Sequence, residues 1–187
     1  MRRRRRLLLF VAAIAASLGL VIAFARMAFT RTANPRNSGF EATLADAPYV
    51  RLAPGAHLDG WSVSGGAVDL VGEYRQSAEG NQSLHLGQSG AIAQDLATVS
   101  GRKYQLRFAL AGNPDGQHSI KRVQIWWDGK LLDTLTFDAN THSHEEMGWR
   151  YFNYPVTASS ASTQLRFVSQ GDEQWGPALD DISVTPD

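Results

Sequence analysis

From residue 60 onward the chain repeats one pattern: short runs in which apolar and polar residues alternate, or short apolar runs, each closed by turn formers. A period of two places successive side chains on opposite faces of an extended strand. The runs are Gly60 to Val71, Ser83 to Leu86, Ala91 to Ala97, Lys103 to Ala111, Lys121 to Trp127, Leu131 to Phe137, Tyr151 to Val156, Gln164 to Val168 and Leu179 to Thr185, which predicts about nine strands. Ser64-Gly65-Gly66, Ala78-Glu79-Gly80-Asn81, Gly112-Asn113-Pro114-Asp115-Gly116 and Asp128-Gly129 punctuate them. No window of helical length in this region has a 3.6-residue period. Without helices to cover a parallel sheet, the strands must pair antiparallel and stack as two sheets, so the predicted fold class is an all-β sandwich.

Register can be read in three places. Around Asp128-Gly129, a three-residue turn ending at Lys130 puts Val123, Ile125 and Trp127 on one face with Leu131, Leu135 and Phe137, and only Asp133 breaks that face. Gln124, Trp126, Leu132, Thr134 and Thr136 then point away. Trp126 is either open to a flat ligand or packed on a neighbouring loop. From Trp149 to Val156 the alternation sends Phe152, Tyr154 and Val156 inward and leaves Trp149, Tyr151 and Asn153 on the other side. Counting back by two from Val184 and Ile182 puts Asp180 inward and Asp181 outward. A buried carboxylate is costly unless it accepts several hydrogen bonds, meets a base or binds a hard cation.

The N-terminus follows a different rule. Five consecutive arginines, Arg2 to Arg6, precede Leu7 to Ala25, a stretch of 19 residues without charge, close to the length needed to span a bilayer as a helix. Read as a signal anchor, it has the right length, and the arginines hold its start in the cytoplasm. Read as a signal peptide, it offers Ala23-Phe24-Ala25 for cleavage. Either reading exports the remainder, membrane-tethered or secreted. Residues 26–36 are polar and aperiodic and are expected to be a linker, with the sandwich over 37–187.

Zero net charge conceals this division. Residues 1–36 hold eight arginines and no acid, whereas residues 37–187 hold 10 basic and 18 acidic side chains, a balance of −8. So acidic a body repels phosphate backbones, which argues against nucleic acid as a partner. The absence of cysteine excludes disulfides, thiolate metal sites and a cysteine nucleophile. No serine sits in a nucleophile elbow, and Glu145-Glu146 and Asp172-Glu173 are exposed acidic pairs without an assignable partner, so no catalytic residue is expected. His142 and His144 would share a face on a strand, as metal ligands can, but they sit in a loop-like stretch that reads as a solvated polar loop.

One succession of motifs runs along the whole domain: Asn37-Ser38-Gly39-Phe40-Glu41, Gly60-Trp61-Ser62-Val63 before Val68-Asp69-Leu70, Gly80-Asn81-Gln82-Ser83-Leu84-His85-Leu86, Ile92-Ala93-Gln94-Asp95-Leu96, Tyr104-Gln105-Leu106-Arg107-Phe108, Ala111-Gly112-Asn113-Pro114, Met147-Gly148-Trp149, and Gly176-Pro177-Ala178-Leu179-Asp180-Asp181-Ile182-Ser183-Val184. In this order they resemble the choice-of-anchor C family, related to plant cell-wall proteins grouped as domain-of-unknown-function family 642. The resemblance implies a galactose-binding-like jelly roll after the N-terminal hydrophobic helix, a non-catalytic extracytoplasmic module akin to carbohydrate-binding domains. It also implies a structural calcium ion between Glu41 and Asp180, completed by carbonyls near Asn81; the alternative is that Asp180 is held by hydrogen bonds alone.

The expected partner is a cell-envelope or extracellular polysaccharide, with Trp126, Trp149, Tyr151 and Trp175 as the stacking candidates. Trp61 is expected in the core. The alternative function is a structural or protein-interaction module of the envelope with no sugar site, in which these rings merely cover core edges.

Overall fold

The computed structural model describes residues 33–187, so the predicted leader, its helix and the linker before Ala33 lie outside the described residues. Two six-stranded antiparallel sheets stack face to face, and among the described residues there is no helix. The first sheet runs β1 (Tyr49–Leu52), β4 (Val68–Val71), β5 (Ser83–Leu86), β12 (Pro177–Pro186), β7 (Lys103–Gly112) and β10 (Arg150–Thr157). The second runs β2 (His57–Leu58), β3 (Trp61–Gly65), β6 (Gly90–Ala97), β11 (Ser162–Ser169), β8 (Ile120–Trp127) and β9 (Lys130–Asp138).

Alternation explains the core. Leu106, Phe108 and Leu110 of β7, Leu179 of β12, Ile125 of β8 and Phe167 of β11 are all fully buried between the sheets. Phe108 is central: its ring meets Phe167 of the opposite sheet edge-on at 5.0 Å and stacks on Phe152 and Tyr154 of β10 at 5.8 and 6.1 Å. Trp61 is buried as expected, and its indole donates to the Asn37 carbonyl at 3.1 Å.

The structure departs from the sequence expectations in five places. First, the run from Gly60 to Val71 is two strands in different sheets, since the chain crosses over at Gly65-Gly66-Ala67, where the close approach of Gln88 leaves no room for a side chain on Gly66. Second, Tyr49–Leu52 and His57–Leu58 are edge strands too short to carry an alternation signal.

Third, the β8–β9 turn has two residues, Asp128 and Gly129, both at positive φ (54° and 73°), and Trp127 pairs with Lys130. A bulge then restores the apolar face: Trp126 opposes Leu131 and Ile125 opposes Asp133, with Leu132 the extra residue. Leu131 therefore faces outward and is exposed, whereas Val123, Ile125, Trp127 and Phe137 are buried as expected.

Fourth, a bulge in β12 between Asp180 and Ser183, with Asp181 at φ 43°, defeats counting by two. Asp180 opposes Ala109, the neighbour of core-facing Phe108, so it lies on the outer side of its sheet together with Asp181. It is nonetheless fully buried, under chain that folds over that face. Residues 33–36, expected in the linker, also belong to the sandwich: Ala33 is fully buried, Asn34 Oδ1 accepts from the Val184 amide, and Gln94 holds both the amide and the carbonyl of Arg36.

Candidate functional site

The outer face of the first sheet is roofed. Segments 72–82, 113–117 and 139–149 pack over it, so that the outward residues Ser83, His85 and Asp180 are at most 1% exposed. A polar network ties this roof down. Arg75 donates to Asp115 at 2.6 Å and to His85 Nδ1 at 3.4 Å, while His144 Nε2 meets the other Asp115 oxygen at 2.9 Å. A guanidinium can only donate, so His85 Nδ1 is an acceptor and Nε2–H donates to Ser83 Oγ at 3.2 Å. Burial, with Arg75 beside it, pushes the His85 imidazole well below its usual range. A neutral, buried histidine whose accepting nitrogen is occupied cannot take a proton from Ser83, so this pair serves packing.

Gln76 is the spine of the roof. Its amide donates to the His144 carbonyl at 2.7 Å, its side-chain oxygen accepts from the Met147 amide at 2.9 Å, and its carbonyl accepts the Trp149 indole at 3.0 Å. These bonds hold Trp149 beside Tyr151 in a groove of about 510 Å³ lined by Gln76, Ser77, Glu146 and Arg150. Tyr151 is fixed in turn: its hydroxyl donates to Asp181 at 3.1 Å, and the Arg107 guanidinium, bonded to the same oxygen at 2.7 Å, lies 3.8 Å from the ring centre. One face of the Tyr151 ring is spent on Arg107, Trp149 is half-buried, and Tyr151 still leaves 43% of itself to solvent. The groove thus combines aromatic surface with amide, carboxylate and guanidinium groups, the composition that suits a hydroxylated ring.

The four sequence-proposed rings divide. Trp149 and Tyr151 share this groove. Trp126 lies on the outer face of the second sheet, on the far side of the sandwich, between Arg166 and Leu131, and its indole bonds Gln124 at 3.2 Å. Trp175 stands half-buried in the loop entering β12, next to Gln174, which bonds Arg51. The structure also adds an aromatic that the sequence reading passed over. Tyr74 is 47% exposed on the same roof, packed against His144 at 4.8 Å and under Arg75 at 5.3 Å. It belongs to no alternating run, and its only sequence cue is a tyrosine in a polar Gly72-Glu73-Tyr74-Arg75 turn.

Glu41 and Asp180 meet the same segment. Asp180 Oδ2 accepts from the Ala78 and Glu79 amides at 2.8 and 3.0 Å, and Oδ1 from Asp181 at 2.7 Å. Glu41 Oε1 accepts from Asn81 and Gln82, both at 2.8 Å. Burial nevertheless pushes the Asp180 carboxyl up to about 7 against the downward pull of its three N–H donors. Those amides supply the partner that a buried carboxylate needs; a calcium ion would have to be held through Glu41 Oε2 and a second lone pair of Asp180 Oδ1, which already accepts from Asp181. Among the described residues no group of three or more His, Asp or Glu side chains has metal-binding geometry. His142 and His144 turn apart, His142 onto Phe137 at 5.3 Å and His144 onto Asp115.

Residues 36–185 match the family described as Protein of unknown function (DUF642). Halomucin from Haloquadratum walsbyi is 26% identical over 141 residues, 71% of this chain but 1% of its own length. The fold is that of carbohydrate-binding modules. A family 35 module from Clostridium thermocellum superposes with a TM-score of 0.50 at 16% identity, covering 74% of this chain and 98% of its own. A family 35 module from an environmental isolate gives 0.51 at 18%, covering 73% and 92%. A segment making up 26% of an arabinose-bound α-L-arabinofuranosidase gives 0.52 at 13% identity over 83% of this chain.

Proposed function

We propose, since this chain belongs to the DUF642 family and has the fold of carbohydrate-binding modules, that it is a non-catalytic module that binds polysaccharide through the Trp149 and Tyr151 groove. The observation that carries this reading is the fixed placement of the two rings. Trp149 is pinned through its indole to Gln76 and Tyr151 through Arg107 and Asp181, so little side-chain freedom is left to lose on binding. The basic start and the uncharged stretch to Ala25 support display outside the cytoplasm, where cell-envelope or extracellular glycans are met.

A glycan array probed with the full chain tests the proposal. Binding to at least one polysaccharide is expected, with a loss of about tenfold or more in Tyr151→Ala, the order of one stacking contact. Retained affinity in Tyr151→Ala and Trp149→Ala would place the sugar site outside this groove, and no glycan bound at all would leave the envelope-scaffold reading in its place.

A further inference from the structure

The Trp149 groove does not end at Gln76. Gln76 and Ser77 also line a second groove, of about 440 Å³, in which Tyr74 and His144 stand. Glu73, Tyr74 and Asn81 in turn belong to a third, of about 570 Å³, floored by Leu44, Ala47 and Pro48. The three form one path around the 72–82 segment with aromatic rings at two stations, Tyr74 and the Trp149/Tyr151 pair. Tyr74 and Gln76 are two residues apart, at most about 7 Å of chain, so the stations are close neighbours. Both are held by the same roof, because His144, which buttresses the Tyr74 ring, is bonded through its carbonyl to the Gln76 amide.

Charge along the path is predominantly negative. Asp46, Glu73, Glu145 and Glu146 line it against two cations, Arg75, which is paired with Asp115, and Arg150, which lies 5.4 Å from the centre of the Phe137 ring. The body as a whole is acidic. A polyanionic chain would be repelled, whereas uncharged hydroxyls can donate to these carboxylates.

We infer that Tyr74 is a second stacking station of the same site, and that the ligand is a neutral polysaccharide chain bound along its length over several units. This rests on the glycan-binding reading of the Trp149 groove. Each station adds contact only when the chain is long enough to reach it, so affinity should depend on length.

The full chain is titrated calorimetrically with neutral β-1,4-linked gluco-, manno-, xylo- and galacto-oligosaccharides of two to six units, and with polygalacturonate as the polyanionic counterpart. For the neutral series that binds, affinity is expected to rise at least tenfold from the shortest to the longest member. Tyr74→Ala should remove most of that rise and leave the shortest member unaffected, and Tyr74→Phe, which keeps the ring, should bind as the parent does. Equal length dependence in Tyr74→Ala and the parent would overturn the second station while sparing the first. Tighter binding of polygalacturonate than of every neutral series would overturn the neutral class. No binding by the parent protein would remove both this inference and the reading beneath it.

Discussion

The two outer faces of the sandwich follow the same alternation and end in opposite environments. On the second sheet, outward positions such as Arg122, Gln164 and Thr134 meet solvent, and Trp126 stands half-exposed among them. On the first sheet the equivalent positions Ser83, His85 and Asp180 are buried under connecting segments, and Asp69 is covered by its ion pair with Arg51. Strand periodicity therefore fixes which side a residue takes but not whether that side is wet. The roofed face is where the molecule spends its polar chemistry: a buried arginine, a buried histidine, a buried aspartate and the grooves that surround them. The bare face needs none of this.

The contrast can be broken most severely at Arg75. Its side chain is 5% exposed and joins the roof to β5 through His85 and to segment 113–117 through Asp115. Arg75→Ala should destabilise by about 2 kcal/mol, read as a fall in the urea midpoint, because it leaves Asp115 with His144 alone and strips the buried His85 Nδ1 of its donor. A loss below about 1 kcal/mol would mean the roof is only loosely attached.

Asp180 gives a smaller effect with a definite sign. Its carboxyl is pushed up to about 7 in the folded protein from the ordinary aspartate value of 3.8. Between those values the unfolded chain releases a proton that the folded one keeps, so the contribution of this group falls as pH rises from about 4 to about 7. Melting temperatures across that window should show a decline that is flattened in Asp180→Asn. Calcium bound at Asp180 and Glu41 would hold the carboxylate ionised and reverse the slope, and chelator would then lower the melting temperature at neutral pH.

Trp126 should matter least. On the bare face, Trp126→Ala is expected to change stability by no more than about 1 kcal/mol and to leave oligosaccharide affinity as it was, measured in the same titration. A larger loss of affinity there would move the binding site to the second sheet.

The sandwich was legible in the sequence because two-residue periodicity and turn chemistry are local: the strands from Ser83 onward lie close to where alternation puts them. What alternation could not carry were the two bulges. One extra residue at Leu132 turned Leu131 outward, and the shift between Asp180 and Ser183 carried Asp180 to the roofed side. The second depends on a partner far away in the chain, Ala109 of β7, and the first on a turn of two residues where the alternation favoured three. The same limit applies to the site. Trp149 and Tyr151 stood out as residues that the core pattern did not use, but their convergence with Gln76 spans a separation of 73 residues. Tyr74 and the Arg75–His85 contact belong to the roof, whose position follows from tertiary packing rather than from any period.

The most direct test of the account is a two-dimensional NMR titration that follows the indole N–H signals, assigned by tryptophan-to-phenylalanine replacement, as a neutral oligosaccharide is added to the full chain. The account predicts that the Trp149 signal shifts in a saturable way while that of Trp126 stays in place. A Trp126 signal that moves while Trp149 does not would contradict it.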